Sequence, residues 1–112
     1  MKKFWLFLLI FYFLSLIFNL SYAHPPWNIE MELEGKELKA IVYHDVSGTQ
    51  HYIYKVEIYV NGTKHITQEF FTQVDDVQII HAYIPSLEKG DLIELKAFCN
   101  QGGDLVSELT VK

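Results

Sequence analysis

The hydrophobic and polar positions that follow residue 23 alternate with a period of two over short segments. In residues 28–34, "NIEMELE", the apolar residues Ile29, Met31 and Leu33 are interleaved with polar ones. Alternation of this kind is typical of a strand with one face on a core, because successive side chains point to opposite faces of a sheet. No later segment sustains the 3.6-residue apolar period of a helix. The pattern therefore indicates an all-β domain.

Seven such segments are separated by turn residues, and each predicts one strand. In chain order the predicted strands are 28–34, 37–44, 51–60, 64–71, 77–84, 92–99 and 105–111. Asn61-Gly62 is the strongest hairpin signal, because both residues tolerate a positive φ. Within the third strand we expect one buried face and one polar face; the predicted buried residues are Tyr54, Val56, Ile58 and Val60. Seven short strands in roughly 85 residues predict an immunoglobulin-like antiparallel β-sandwich.

The first 23 residues have the pattern of a secretory signal. Lys2 and Lys3 precede the apolar run 4–20, and "SYA" places small residues where a signal peptidase cleaves, after Ala23. We expect a signal-peptide helix over 1–23, a mature domain at 24–112, and export to the periplasm or the cell exterior. A run of this length is also at the lower limit for a membrane span. An uncleaved membrane anchor is therefore the alternative.

The charge balance excludes nucleic acid as an expected partner. The chain has 9 Lys+Arg and 14 Asp+Glu, for a formal net charge of −5. Removal of residues 1–23 takes away Lys2 and Lys3 and no acidic residue, so the formal charge of the remainder is about −7. An acidic surface of this kind repels a phosphate backbone.

The single cysteine, Cys99, cannot form a disulfide within one chain. In an exported protein this leaves a buried thiol, a disulfide between two chains, or a metal ligand. An up-and-down chain path places His24, His44, His51 and Cys99 at the same end of the predicted sandwich. Imidazole nitrogen and thiolate sulfur suit zinc, iron or copper better than calcium or magnesium. The other two histidines fall outside this group; they are His65 and His81.

Three segments of the chain resemble the superoxide reductase family, whose members are also called neelaredoxins or desulfoferrodoxin iron-binding domains. "HYIYKVEIYVNG" (51–62) is similar to that family's "EHYI" strand, and "HPPWNIE" (24–30) is similar to its "HVPxIE" segment. "ELKAFCN" (94–100) is similar to its "xAxAYCNxH" ending. The resemblance covers essentially the whole chain from residue 24, and it implies the same sandwich fold.

The resemblance also implies a mononuclear iron site that cycles between Fe(II) and Fe(III). The donor types leave copper or zinc as alternative metals. By residue-for-residue correspondence, His24, His44 and His51 match three equatorial ligands, and Cys99 matches the axial thiolate. The family's fourth histidine is absent, because Gly102 stands in its place. The family's lysine near the open coordination position is absent as well. If cleavage makes His24 the first residue, its free α-amine could serve as a further ligand.

The implied activity is reduction of superoxide to peroxide, which requires an electron-donor protein as a partner. The incomplete ligand set favours a second hypothesis, a non-catalytic metal carrier, sensor or binding module that keeps the fold with a degenerate site. We assign no catalytic residue; the four candidates are metal ligands. Membrane contact is expected only if the leader is retained.

Overall fold

The structure is a computed structural model that describes residues 25–45 and 51–112. Its seven strands are β1 (Asn28–Glu34), β2 (Glu37–Tyr43), β3 (Ile53–Val60), β4 (Thr63–Glu69), β5 (Val77–Tyr83), β6 (Leu92–Cys99) and β7 (Asp104–Thr110). All seven predicted strands are confirmed, with ends that differ by at most two residues. Within the described residues there is no helix, and hence none that could cross a membrane. The signal-peptide helix predicted for 1–23 lies outside the described residues.

The strands form two antiparallel sheets, which confirms the predicted β-sandwich. One sheet has the order β1-β2-β5 and the other β4-β3-β6-β7. Adjacent strands pair antiparallel throughout both sheets. Because β5 joins the sheet of β1 and β2, the chain crosses between the sheets after β2, after β4 and after β5.

The core consists of the alternate residues that the two sheets turn toward each other. Fully buried aliphatic side chains come from both sheets; they include Leu38, Val42, Val56, Ile58, Ile80, Ile93 and Leu95. Truncation of a Leu or Ile in such a position to alanine typically costs roughly 2–5 kcal/mol. The period-two pattern is therefore explained by burial of one face of each strand.

The prediction for Tyr54 is wrong because β3 contains a β-bulge. The pairing of β3 with β6 passes from Ile53–Cys99 to Lys55–Phe98, so Tyr54 is an extra residue without a partner on β6. Tyr54 is 37% exposed, whereas Ile53 is fully buried. One extra residue reverses the inward and outward alternation on one side of the bulge. If the alternation of the later half of β3 is extended back along the strand, it assigns the residues before Tyr54 to the wrong face of the sheet.

The Asn61-Gly62 hairpin is confirmed. Asn61 has φ 51° and Gly62 has φ 83°, and Val60 pairs with Thr63 across the turn. A positive φ at both central positions defines a type I′ turn, whose twist matches that of the flanking strands. This turn sets the pairing of Val60 with Thr63 and of Tyr59 with Lys64, and the register then shifts by one residue, so that Ile58 pairs with Ile66.

Several chain segments meet at one end of the sandwich, which we call the site end. Backbone hydrogen bonds tie them together in pairs: Trp27 N–H to Tyr43 O, His44 N–H to Asp76 O, and Asn100 N–H to Tyr52 O. The site end comprises residues 25–27, 44–45, 51–52, 70–76 and 99–103.

Candidate metal centre

Three donor side chains converge at the site end. The ligand atoms of His44, His51 and Cys99 all lie within 4.8 Å of one another. The two Nε2 atoms are 3.1 Å apart, and His51 Nε2 is 2.8 Å from Cys99 Sγ. The sequence predicted that these three residues share one end of the fold, and the structure brings their donor atoms together.

His44 directly follows β2 and is held as a buried residue. It is 1% exposed, and its backbone N–H donates to Asp76 O at 2.9 Å. Its ring is perpendicular to that of His51, with centroids 4.5 Å apart. The ring edge that carries Nε2 is thereby presented to the other two donors.

His51 is half-buried and precedes β3 by two residues. Because side chains alternate, His51 shares the inward direction of Ile53, whose Cα partner on β6 is Cys99. If Tyr54 were paired with β6 in a regular ladder, the alternation of Val56, Ile58 and Val60 would turn His51 outward. The bulge therefore aims the His51 imidazole at the sulfur.

Cys99 is the last residue of β6, and its side chain is 3% exposed. Burial raises the pKa of the thiol, and the backbone N–H groups of Gln101 and Gly102 oppose that rise. The Gln101 N–H lies 3.4 Å from the sulfur. A buried sulfur that faces His51 does not fit the alternative of a disulfide between two chains.

Gly102 contributes its backbone where the resemblance expects a histidine side chain. Its φ is 105°, a conformation that side-chain-bearing residues rarely adopt. Its N–H donates to Cys99 O at 3.1 Å and also lowers the pKa of the Cys99 thiol. The turn after β6 therefore surrounds the sulfur with amide donors in place of a further imidazole.

His24 lies outside the described residues, but its neighbour in sequence packs at the site end. A Cβ added to Gly103 would lie 2.8 Å from the Cβ of Pro25, so the two backbones are in close contact. The chain therefore passes directly against the turn that follows Cys99. Among the described residues, the cluster of three donors does not include His65 or His81.

Gln73 is a further buried polar residue at the site, and it was not predicted from the sequence. Its side chain is 6% exposed, and its Oε1 lies 3.0 Å from His44 Nδ1. Gln73 belongs to the segment "FTQVDD", whose polar composition predicts only a connection between strands. No periodicity marks it, so this residue could be found only from the folded chain.

The donor set fits a transition metal. Nitrogen and sulfur ligands bind zinc at about 2.0–2.3 Å, so two donors on one ion lie roughly 3–4 Å apart. The observed separations of 2.8 and 3.1 Å are close to that range. Two imidazoles and one thiolate suit iron, copper or zinc, whereas calcium and magnesium prefer oxygen ligands.

Comparison with known proteins found structural neighbours only. No family model and no curated protein matches the chain. A superoxide reductase from Nanoarchaeum equitans aligns with TM-score 0.47 and 23% identity, over 77% of this chain and 92% of that one. Two structures of superoxide reductase (neelaredoxin) from Ignicoccus hospitalis each align with TM-score 0.49. Their identities are 16% and 14%, over 82% and 78% of this chain and 85% and 82% of theirs.

The structural neighbours thus carry the name of the family that the sequence motifs resemble. The assignment of the site rests on the side chains of this chain.

Proposed function

We propose that this protein is an exported, mononuclear iron protein that reduces superoxide to hydrogen peroxide. The observation that carries the proposal is the convergence of His44 Nε2, His51 Nε2 and Cys99 Sγ within 4.8 Å. His24 is proposed as a fourth protein ligand, because Pro25 packs on the turn after Cys99. The signal-like residues 1–23 support export, with membrane attachment if the leader is retained.

Bound iron would supply one electron to superoxide, which takes up two protons and leaves as hydrogen peroxide while Fe(II) becomes Fe(III). Return to Fe(II) requires one electron from an external electron-donor protein. Cys99 would act as an electron-rich thiolate, and thiolate ligation is one of the means by which proteins tune iron. His44 and His51 would bind through Nε2.

The acidic surface should slow the approach of superoxide. Asp45, Asp75 and Asp76 all lie at the site end, and the chain carries a net negative charge. Like charges at a site lower the encounter rate with an anion, and salt screens that repulsion. We therefore expect superoxide consumption that becomes faster as ionic strength rises, the opposite of an enzyme that attracts its substrate.

Reduction is tested by the stoichiometry of peroxide formation. The protein is purified after expression of the full chain, loaded with ferrous iron, and mixed anaerobically with superoxide. One peroxide per superoxide consumed, with one equivalent of protein-bound iron oxidised, is the expected result. One peroxide per two superoxides, without net iron oxidation, would indicate dismutation and contradict the proposal.

The second candidate is a non-catalytic metal carrier or sensor. It is favoured by Gly102, which puts an amide N–H where a further histidine would complete the ligand set. Iron, copper or zinc that binds tightly without superoxide consumption would support this candidate and exclude the reductase.

A further inference from the structure

Gln73 is a buried amide in a segment that is otherwise exposed. It lies between β4 and β5, and the nearby side chains of Phe71 and Val74 are 85% and 96% exposed. Gln73 itself is 6% exposed. A buried side-chain amide is costly unless its polar atoms are hydrogen-bonded, so its contacts indicate why it is there.

All the hydrogen-bonding capacity of the Gln73 amide is used at the site end. Its Nε2 donates to two backbone carbonyls, His44 O at 2.8 Å and Asp75 O at 2.7 Å. Its Oε1 accepts from the Ile53 backbone N–H at 3.1 Å and lies 3.0 Å from His44 Nδ1. One side chain thereby links the residue after β2, the first residue of β3 and the segment before β5.

These contacts fix which way round the amide lies. Carbonyl oxygens only accept hydrogen bonds, so the atom that faces His44 O and Asp75 O must be the nitrogen. The atom that faces His44 Nδ1 is then an oxygen, which has no proton to give. The proton of this hydrogen bond must therefore sit on His44 Nδ1.

We propose that Gln73 is a positioning residue that holds His44 in the Nδ1–H tautomer. In a neutral imidazole the other nitrogen, Nε2, then carries the lone pair. That lone pair faces His51 and Cys99, 3.1 Å from His51 Nε2. The tautomer claim concerns the protein without metal, whereas its value for binding a metal rests on the proposed function.

Gln73 also positions the second histidine indirectly. Its Oε1 accepts a hydrogen bond from the Ile53 N–H. Ile53 is two residues from His51, and its Cα partner on β6 is Cys99. The same oxygen thus contacts the ring of His44 and the start of the strand that carries His51. Metal-ligating histidines depend on such partners, whose loss typically costs about 10–100-fold in metal affinity.

The tautomer is read directly by nitrogen-15 NMR on metal-free protein, expressed as the full chain and held above pH 7.5. In the wild type, His44 should show a protonated Nδ1 and an unprotonated Nε2. Gln73→Met, which has no strong acceptor, should lose this single-tautomer pattern. Gln73→Glu keeps an oxygen for Nδ1–H and should retain this pattern, although it loses the two donations to His44 O and Asp75 O and should be less stable for that reason.

Cobalt(II) titration gives the second readout. We expect Gln73→Met to weaken binding about 10–100-fold and Gln73→Glu to weaken it less. Gln68→Met is the matched control, because the Gln68 amide also bonds a backbone carbonyl, His81 O, but away from the cluster. It should leave both the His44 pattern and cobalt affinity unchanged.

A wild-type His44 protonated on Nε2, or an Nδ1–H pattern that survives in Gln73→Met, would overturn the inference. The wild-type spectrum decides the matter even if Gln73→Met fails to fold. If the predicted tautomer is observed but neither cobalt nor iron binds, the proposed function fails and the positioning role of Gln73 stands.

Discussion

His51 Nε2 lies 2.8 Å from Cys99 Sγ although the two residues are 48 positions apart. Two features of β3 produce this contact. Ile53, two residues after His51, pairs with Cys99 on β6, and the extra residue Tyr54 turns this part of the chain inward. The metal-binding hypothesis therefore depends on a β-bulge as much as on the donor residues.

Deletion of Tyr52 should turn His51 away from the site. The deletion makes His51 the direct neighbour of Ile53, and neighbouring side chains of a strand point to opposite faces, so the imidazole would point outward while Ile53 still pairs with Cys99. We expect cobalt(II) affinity to fall at least about tenfold, as calorimetric titration would measure.

The control for this deletion is deletion of Tyr54, which removes the bulge but leaves Ile53 opposite Cys99 and His51 inward. It should bind cobalt with an affinity close to that of the wild type. Equal losses of affinity in the two deletion variants would show that the alternation around the bulge does not orient His51.

The sandwich could be predicted from sequence because each strand is marked locally by alternating residues and turn signals. The Asn61-Gly62 turn, for example, requires only that two neighbouring residues accept a positive φ. The bulge could not be predicted in the same way, since it is a shift in the register between β3 and β6. Such a shift depends on how the two strands pair, and the sequence of one strand does not reveal it. Tyr54 was placed on the wrong face for this reason.

The residues of the candidate site also differ in whether they could be predicted from the sequence. His44, His51 and Cys99 could be predicted because strand direction alone sorts strand ends to one end of the fold. Gln73 could not, because it lies in the middle of the connection between β4 and β5 and its partners are 20 and 29 positions away in sequence. A buried amide whose hydrogen-bond partners are distant in sequence leaves no periodic signal.

Gly103 should be more sensitive to substitution than a glycine with similar backbone geometry. Gly103→Ala brings a Cβ to within 2.8 Å of Pro25 Cβ at φ 91°. Gly90→Ala has φ 93° and no atom within 4 Å, so it is the matched control. A positive φ costs a residue with a Cβ about 1–2 kcal/mol, and we expect both variants to lose this much in urea unfolding.

Gly103→Ala should lose more than Gly90→Ala, and it alone should weaken metal binding, because it displaces the chain beside His24. Equal unfolding free energies for the two variants would show that the Pro25 contact contributes nothing.

His24 should contribute to metal affinity. We expect His24→Ala to weaken cobalt(II) binding by more than the roughly 10–100-fold typical of losing a ligand's hydrogen-bond partner. The control is His65→Ala, which removes an imidazole from β4, outside the three-donor cluster. Indistinguishable affinities for the two variants would remove His24 from the ligand set.

The Glu57–Lys64 ion pair should make stability depend on acid pH. Glu57 Oε2 lies 3.1 Å from Lys64 Nζ, and the hydrogen bond from Lys64 lowers the pKa of Glu57. Because the folded state then binds the proton less tightly than the unfolded state, the contribution is complete above the unfolded pKa of about 4.3. It is lost as pH falls through the lower, folded value.

We therefore expect the wild type to be more stable than Glu57→Gln at pH 7, and the difference to shrink below about pH 4.3. Urea unfolding across the pH range measures it. A difference that is independent of pH would show that the pair has no electrostatic effect on folding.

The central claim is that Cys99 sulfur binds a metal together with His44 and His51. The most direct measurement is anaerobic loading of the protein with ferrous iron, elemental analysis, and oxidation followed by a visible absorption spectrum. We predict one iron per chain and a thiolate-to-Fe(III) charge-transfer band that Cys99→Ser abolishes. Failure to bind stoichiometric iron, or a band that survives in Cys99→Ser, would contradict the proposed site.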